Sequence, residues 1–135
     1  MPAQATDQRT PVDVVRAVYE AFARRDAAAI LAALDDSLEI YQTPLLPWGG
    51  SHRGHAGAQA FFGKLLAHID SRVSVERFIE AGDDVVVVGR TRGTVHATRR
   101  PFDVPIAHVW RIVDGRATRW EAYIDTPAML EALAP

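Results

Sequence analysis

Apolar positions recur every three or four residues in the first part of the chain and every second residue in the last half, and that change of period divides the elements. Thr10-Pro11-Val12-Asp13 predicts a helix start: Thr10 can cap, Pro11 suits the first helical position and Asp13 favours the first turn. Val15, Val18, Tyr19 and Phe22 then share one face, which carries the helix to about Arg25. Asp26 caps a second, Ala-rich helix that ends near Asp35, with Ile30, Leu31 and Leu34 inward. Leu38 to Thr43 is a strand. Pro44 to Gly54 holds prolines, glycines and Trp48, and predicts an irregular loop. Ala58 to His68 is a third helix, apolar at Phe61, Phe62, Leu65, Leu66 and Ile69. Four strands follow at Arg72–Glu80, Val85–His96, Phe102–Val113 and Ala117–Asp125. Asp114-Gly115 between the last two is a strong two-residue hairpin signal. Thr126-Pro127 starts a short final helix, Ala128 to Leu133.

The predicted order is α-α-β-α-β-β-β-β-α. Strands of about 12 residues must twist and curl. Helices gathered on one side of a curled, mainly antiparallel sheet enclose a cone, so the expected fold class is α+β: a cone-shaped α+β barrel with helices on the concave side. Residues 1–9 are polar and read as a flexible N-terminus, and residues 10–135 read as a single domain.

Composition narrows the chemistry. A chain of 135 residues with 48% apolar content builds a core without staples, burying roughly two-thirds of its unfolded surface. A net charge of −2 gives no footprint for nucleic acid or an anionic membrane. The arginines at Arg90, Arg92, Arg99 and Arg100 lie near Asp83, Asp84 and Asp103 and read as a solvated face. With no cysteine, disulfides, thiolate metal sites and cysteine nucleophiles are excluded. No apolar run reaches the ~20 residues of a membrane helix, and no signal-peptide pattern opens the chain, so the expected location is cytoplasmic.

Alternation sorts the strand faces. Ile106, His108, Trp110 and Ile112 share a face, and Arg111 stands on the other, so His108 points inward among apolar neighbours. Trp120, Ala122 and Ile124 point inward by the same logic. Val85, Val87, Gly89, Thr91 and Gly93 share the inner face of their strand, where the glycines leave room for a ligand. Tyr41 and Thr43 share a face with Glu39, and Thr43 meets the Trp48 loop.

The segments Tyr41-Gln42-Thr43-Pro44, Pro47-Trp48-Gly49-Gly50 with Arg53-Gly54, the run Ile106 to Gly115 and the closing Trp120 to Thr126 resemble the nuclear transport factor 2-like superfamily. The likeness is closest to its SnoaL-like and ketosteroid isomerase-like members and spans Val12 to Leu133. It implies the cone fold, a small apolar ligand, no cofactor and a homodimer. It does not imply one reaction, because the superfamily hosts isomerases, cyclases, dehydratases, epoxide hydrolases and silent binders. Steroid isomerases keep a base aspartate where this chain has Thr43, a first-helix tyrosine at the place aligned with Val18, and a protonated aspartate at His108. The cyclases and epoxide hydrolases keep an aspartate at Ala122. The hydrolases also hold water with a tyrosine and an asparagine, where Tyr41 and Thr43 stand, and their Arg-x-Asp pair falls near Gly89 and Thr91 and is missing.

Three readings follow. The first is a cofactor-free enzyme of isomerase, cyclase or hydrolase type. His108 is its acid/base, with an unperturbed pKa near ~6.5, and Tyr41 and Thr43 hold water or a substrate oxygen. Tyr19, Trp48, Thr91, Trp110, Trp120 and Ala122 are its expected ligand contacts, with Trp48 as a lid or a dimer contact. The second is a binding protein without chemistry, in which His108 is simply satisfied by a neighbour such as Tyr41. The third is a dimeric interaction module, using Ala107, Val109 and Val113 on the outer face. His52 and His55 have ligand-like spacing but no third partner, so no metal is expected. Asp125 caps the last helix or pairs with Arg53.

Overall fold

The computed structural model describes residues 9–135, so the expected loose segment at 1–9 lies almost wholly outside the described residues. Helix α1 spans Pro11–Arg24 and opens on a reciprocal cap. Thr10 Oγ1 accepts from the Asp13 N–H at 3.1 Å, and Asp13 Oδ2 accepts from the Thr10 N–H at 3.2 Å. The helix buries Val14, Val15, Val18 and Ala21 and stops at Arg25, which turns left-handed at φ 57°. Asp26 caps α2, Ala27–Ala33, through the Ala29 N–H at 3.1 Å.

Strand β1 covers Leu34–Gln42, four residues earlier than expected. Its first half is irregular, with Asp35 Oδ2 accepting from the Ser37 N–H and hydroxyl, and the register with β6 shifts between Leu34 and Glu39. The predicted loop contains a further strand, β2 at Gly50–Arg53. Its four residues carry no alternation of their own; pairing with β1 creates the element. Helix α3 then runs Gly54–His68 and starts four residues early, because Arg53 gives its N-terminus no side-chain cap to read in sequence.

Strands β3 (Ile69–Ala81), β4 (Asp84–Val95), β5 (Pro101–Val113) and β6 (Arg116–Ile124) follow, and α4 (Thr126–Leu133) closes the chain. They form one six-stranded sheet in the order β2-β1-β6-β5-β4-β3. Only the β1–β6 pair is parallel. The Asp114-Gly115 turn has φ 50° and 78°, the two positive values that a tight right-twisted hairpin requires. The sheet is curled and unclosed, and α1, α2 and α3 cover its concave side. This is the mixed α+β cone expected from the sequence, with one strand more.

Curvature has a local cause. A Cβ on Gly93 would lie 1.7 Å from the Asp70 carbonyl oxygen, and one on Gly89 would lie 2.1 Å from that of Ser74. The glycines therefore let β3 fold over β4; the space they leave is filled by backbone and is not ligand room. Asp125 caps α4 through the Ala128 N–H at 3.1 Å. The pairing of Asp125 with Arg53 does not form, since Arg53 takes Glu39 at 2.6 Å. Among the described residues no helix is long and apolar enough to cross a membrane.

Candidate functional site

Register aligns the inner face in rows. Ile40, Trp120, Trp110 and Val85 are cross-strand neighbours, and Gln42, Ala122, His108 and Val87 form the next row. Above these rows, between the sheet and the helices, lies a cavity of about 640 Å³. Its walls are largely apolar: Phe22 from α1, Ile30 and Leu31 from α2, Phe61 and Phe62 from α3, Ile106, Trp120 and Ile124 from the sheet, and Met129 from α4.

The buried polar side chains among the described residues are Gln42, Thr91 and His108, and all three line this cavity. Each keeps a polar atom without a partner among the described residues. The Gln42 Oε1 accepts from the Trp48 indole N–H at 2.9 Å, which leaves the amide NH₂ free. The Thr91 hydroxyl and the second ring nitrogen of His108 make no hydrogen bond among the described residues. Open polar atoms on three side chains that line one apolar cavity mark a place for a bound molecule.

His108 is 6% exposed and held from one side. The Trp110 indole N–H donates to the Tyr19 phenol oxygen at 2.9 Å, and the Tyr19 hydroxyl meets His108 Nδ1. An indole nitrogen can only donate, and the phenol hydrogen has no other acceptor. The arrangement that satisfies all three groups has Tyr19 donating to Nδ1, which puts the imidazole proton on Nε2. Burial holds the His108 pKa down at about 3. The ring is therefore neutral, and its Nε2–H is a donor. Burial also pushes the Tyr19 phenol well above its ordinary range, so it stays protonated.

Several expected positions differ. Tyr41 is 38% exposed and on the outer face with Glu39, outside the cavity. Thr43 is likewise absent from the lining; its hydroxyl accepts from the Leu45 N–H at 3.3 Å in a local turn. The charge of Glu39 fixes this: the face it shares with Tyr41 points to water, so Ile40 and Gln42 point in. Gln42 is thus the site residue that the sequence reading missed, although the rule used on the other strands finds it. Val18, the place aligned with the isomerases' first-helix tyrosine, packs in the core, while the neighbouring Tyr19 reaches His108. Trp110 is 1% exposed and backs the site, stacked on Trp120 with ring centres 5.1 Å apart. Trp48 forms part of the cavity wall, 1% exposed and bonded to Gln42. Tyr19, Thr91, Trp120 and Ala122 line the cavity. His52 packs on Phe61, while His55 Nε2 meets the Leu34 carbonyl at 2.7 Å, so the two are not a ligand pair.

Comparison with known proteins gives this geometry a lineage. No curated protein matches the sequence. Among solved structures, an NTF2-like protein of Burkholderia thailandensis E264 is 31% identical with a TM-score of 0.89, over 95% of this chain and 100% of that one. An NTF2-like protein of Burkholderia pseudomallei K96243 is 33% identical with a TM-score of 0.86, over 93% and 98%. TerC, crystallised with polyporic acid, is 28% identical with a TM-score of 0.84, over 92% and 98%. The model of the SnoaL-like domain family matches residues 15–120, most of the chain. The chain is a member of the SnoaL-like domain family, within the nuclear transport factor 2-like superfamily.

Proposed function

We propose that the protein binds a small, largely apolar molecule carrying acceptor oxygens, and that His108 Nε2–H and the Gln42 amide donate to them. The observation that carries this is the cluster of three buried polar side chains with open hydrogen-bonding atoms around one apolar cavity. Ala122 sits between His108 and Gln42 in the register, so its small side chain lets the ligand settle between the two donors. TerC, the relative crystallised with polyporic acid, supports a small-molecule role for this fold.

His108 serves this role better than that of a base. Its Nδ1 is engaged by Tyr19 and its pKa lies at about 3. Among the described residues no Asp or Glu lines the cavity. A neutral donor aimed at a carbonyl oxygen stabilises negative charge on that oxygen. The site is therefore suited to isomerase- or cyclase-type chemistry on a ketone only where the proton acceptor comes from the substrate or water. A homodimer through the outer sheet face belongs to the same reading.

The test is fluorescence titration with methyl 6-hydroxy-2-naphthoate, a neutral bicyclic ester. Saturable binding is expected in the wild type, weakened about tenfold in His108→Ala through loss of one buried hydrogen bond. Equal affinity in the two proteins would remove His108 from recognition.

A further inference from the structure

The inner face of the sheet carries buried polar groups at two separated points, with apolar side chains between them. The first point is the row that joins Gln42, Ala122 and His108, whose register partner on β4 is Val87. The second is Thr91, further along β4 on the same inward face. At a rise of about 3.3 Å per residue, the two points stand roughly 13 Å apart along the strand. Ile106 and Ile124 pair in the intervening row and line the cavity. Ile30, Leu31 and Phe62 from the helices complete this apolar middle.

Thr91 is 7% exposed, and its hydroxyl makes no hydrogen bond among the described residues. Its register partners, Val73 and Val104, are apolar and offer it no side-chain acceptor. Val73 is 39% exposed, so this end of the cavity borders the opening. Ser71 faces in from the diagonal position on β3 but is half-buried, and water competes for its hydroxyl. The sheet itself has no need of an oxygen at Thr91. A β-branched side chain suits the strand, and Val85 and Val87 fill the same face of β4 without one. What threonine adds is a hydroxyl that both donates and accepts.

We infer that the ligand is an elongated molecule oxygenated at both ends, with an apolar middle. One oxygen accepts from His108 and Gln42 at the inner end, and the other exchanges a hydrogen bond with the Thr91 hydroxyl near the opening. This rests on the ligand-binding reading above and adds the length of the ligand and the spacing of its polar groups. With a hydrogen bond of about 2.9 Å closing each end, the two ligand oxygens lie on the order of 10 Å apart. Thr91 is thus a specificity residue: a molecule with one polar end enters the cavity and gains nothing from it.

The experiment is fluorescence titration with 4-hydroxybiphenyl and 4,4′-dihydroxybiphenyl, which share the rings and differ by the second terminal hydroxyl. The wild type is expected to bind the dihydroxy probe about fivefold more tightly, the scale of one net hydrogen bond. In Thr91→Val that ratio falls to one or below, because the second hydroxyl leaves water without finding a partner. Thr91→Ser keeps the hydroxyl and the preference. Affinity for 4-hydroxybiphenyl is the same in wild type and Thr91→Val, and reports that the cavity is folded. Equal binding of the two probes by the wild type overturns the two-ended ligand while leaving the cavity reading intact. So does a preference that survives Thr91→Val. Binding of neither probe overturns both.

Discussion

His108 sits in a neutral state because burial penalises the imidazolium. The Tyr19 hydroxyl meets its Nδ1 and sets which nitrogen carries the proton. The consequence for stability has a definite sign. The unfolded imidazole titrates near ~6.5, whereas the folded one titrates at about 3. Between those values the unfolded chain binds a proton that the native state refuses. Stability is therefore complete above pH ~6.5 and declines as pH falls towards the folded value, by at most about 1.4 kcal/mol per pH unit from this group. Urea unfolding between pH 7 and pH 4 should show a shallower decline in His108→Gln, which cannot titrate yet can accept from Tyr19. Identical slopes in the two proteins would mean that His108 is protonated in the native state. Residue identity made His108 a candidate from sequence alone. Its role as donor was not legible there, because Tyr19 and Trp110 lie 89 and 91 positions from their partners in the network.

At the level of elements, the caps and turns were readable and the pairings were not. Thr10, Asp26 and Asp125 each cap the helix expected of them, since a cap is a contact between residues three apart. Strand β2 was hidden, because four residues without alternation become a strand only when β1 supplies the hydrogen bonds. The glycines of β4 show the same limit: their absence of side chains is visible in the sequence, and what they make room for is not. A Gly93→Ala substitution should destabilise the fold by about 1–3 kcal/mol, because the added methyl meets backbone that cannot swing aside. Gly63, in the exposed middle of α3 with open space around its Cβ, is the control. There the same change should be neutral or stabilising by roughly 0.5–1 kcal/mol. Thermal unfolding of the two variants side by side reads the difference; a Gly93→Ala protein as stable as the wild type would refute the close-approach account of the curl.

Across the whole molecule, the sheet divides two environments. Its concave side holds the cavity, and its outer side carries paired charges such as Arg90–Asp103 and Arg111–Asp84 around apolar residues. Val113 and Tyr123 are each 46% exposed there, with Ala107 and Val109 half-buried beside them. A two-fold partner would cover this face without disturbing the cavity. Light scattering at micromolar concentration is expected to give twice the mass of the chain, and a monomer throughout that range would exclude the dimer. The sequence by itself determined the α+β class, the helix caps, the closing hairpin and the inward faces of β4, β5 and β6. Periodicity, capping and turn chemistry act between near neighbours, so a single chain displays them. Tertiary structure alone decided that β6 inserts between β1 and β5, that Gln42 stands across Ala122 from His108, and that Tyr19 meets the imidazole at Nδ1. Those contacts join segments far apart in the chain, and nothing local in either segment encodes its partner.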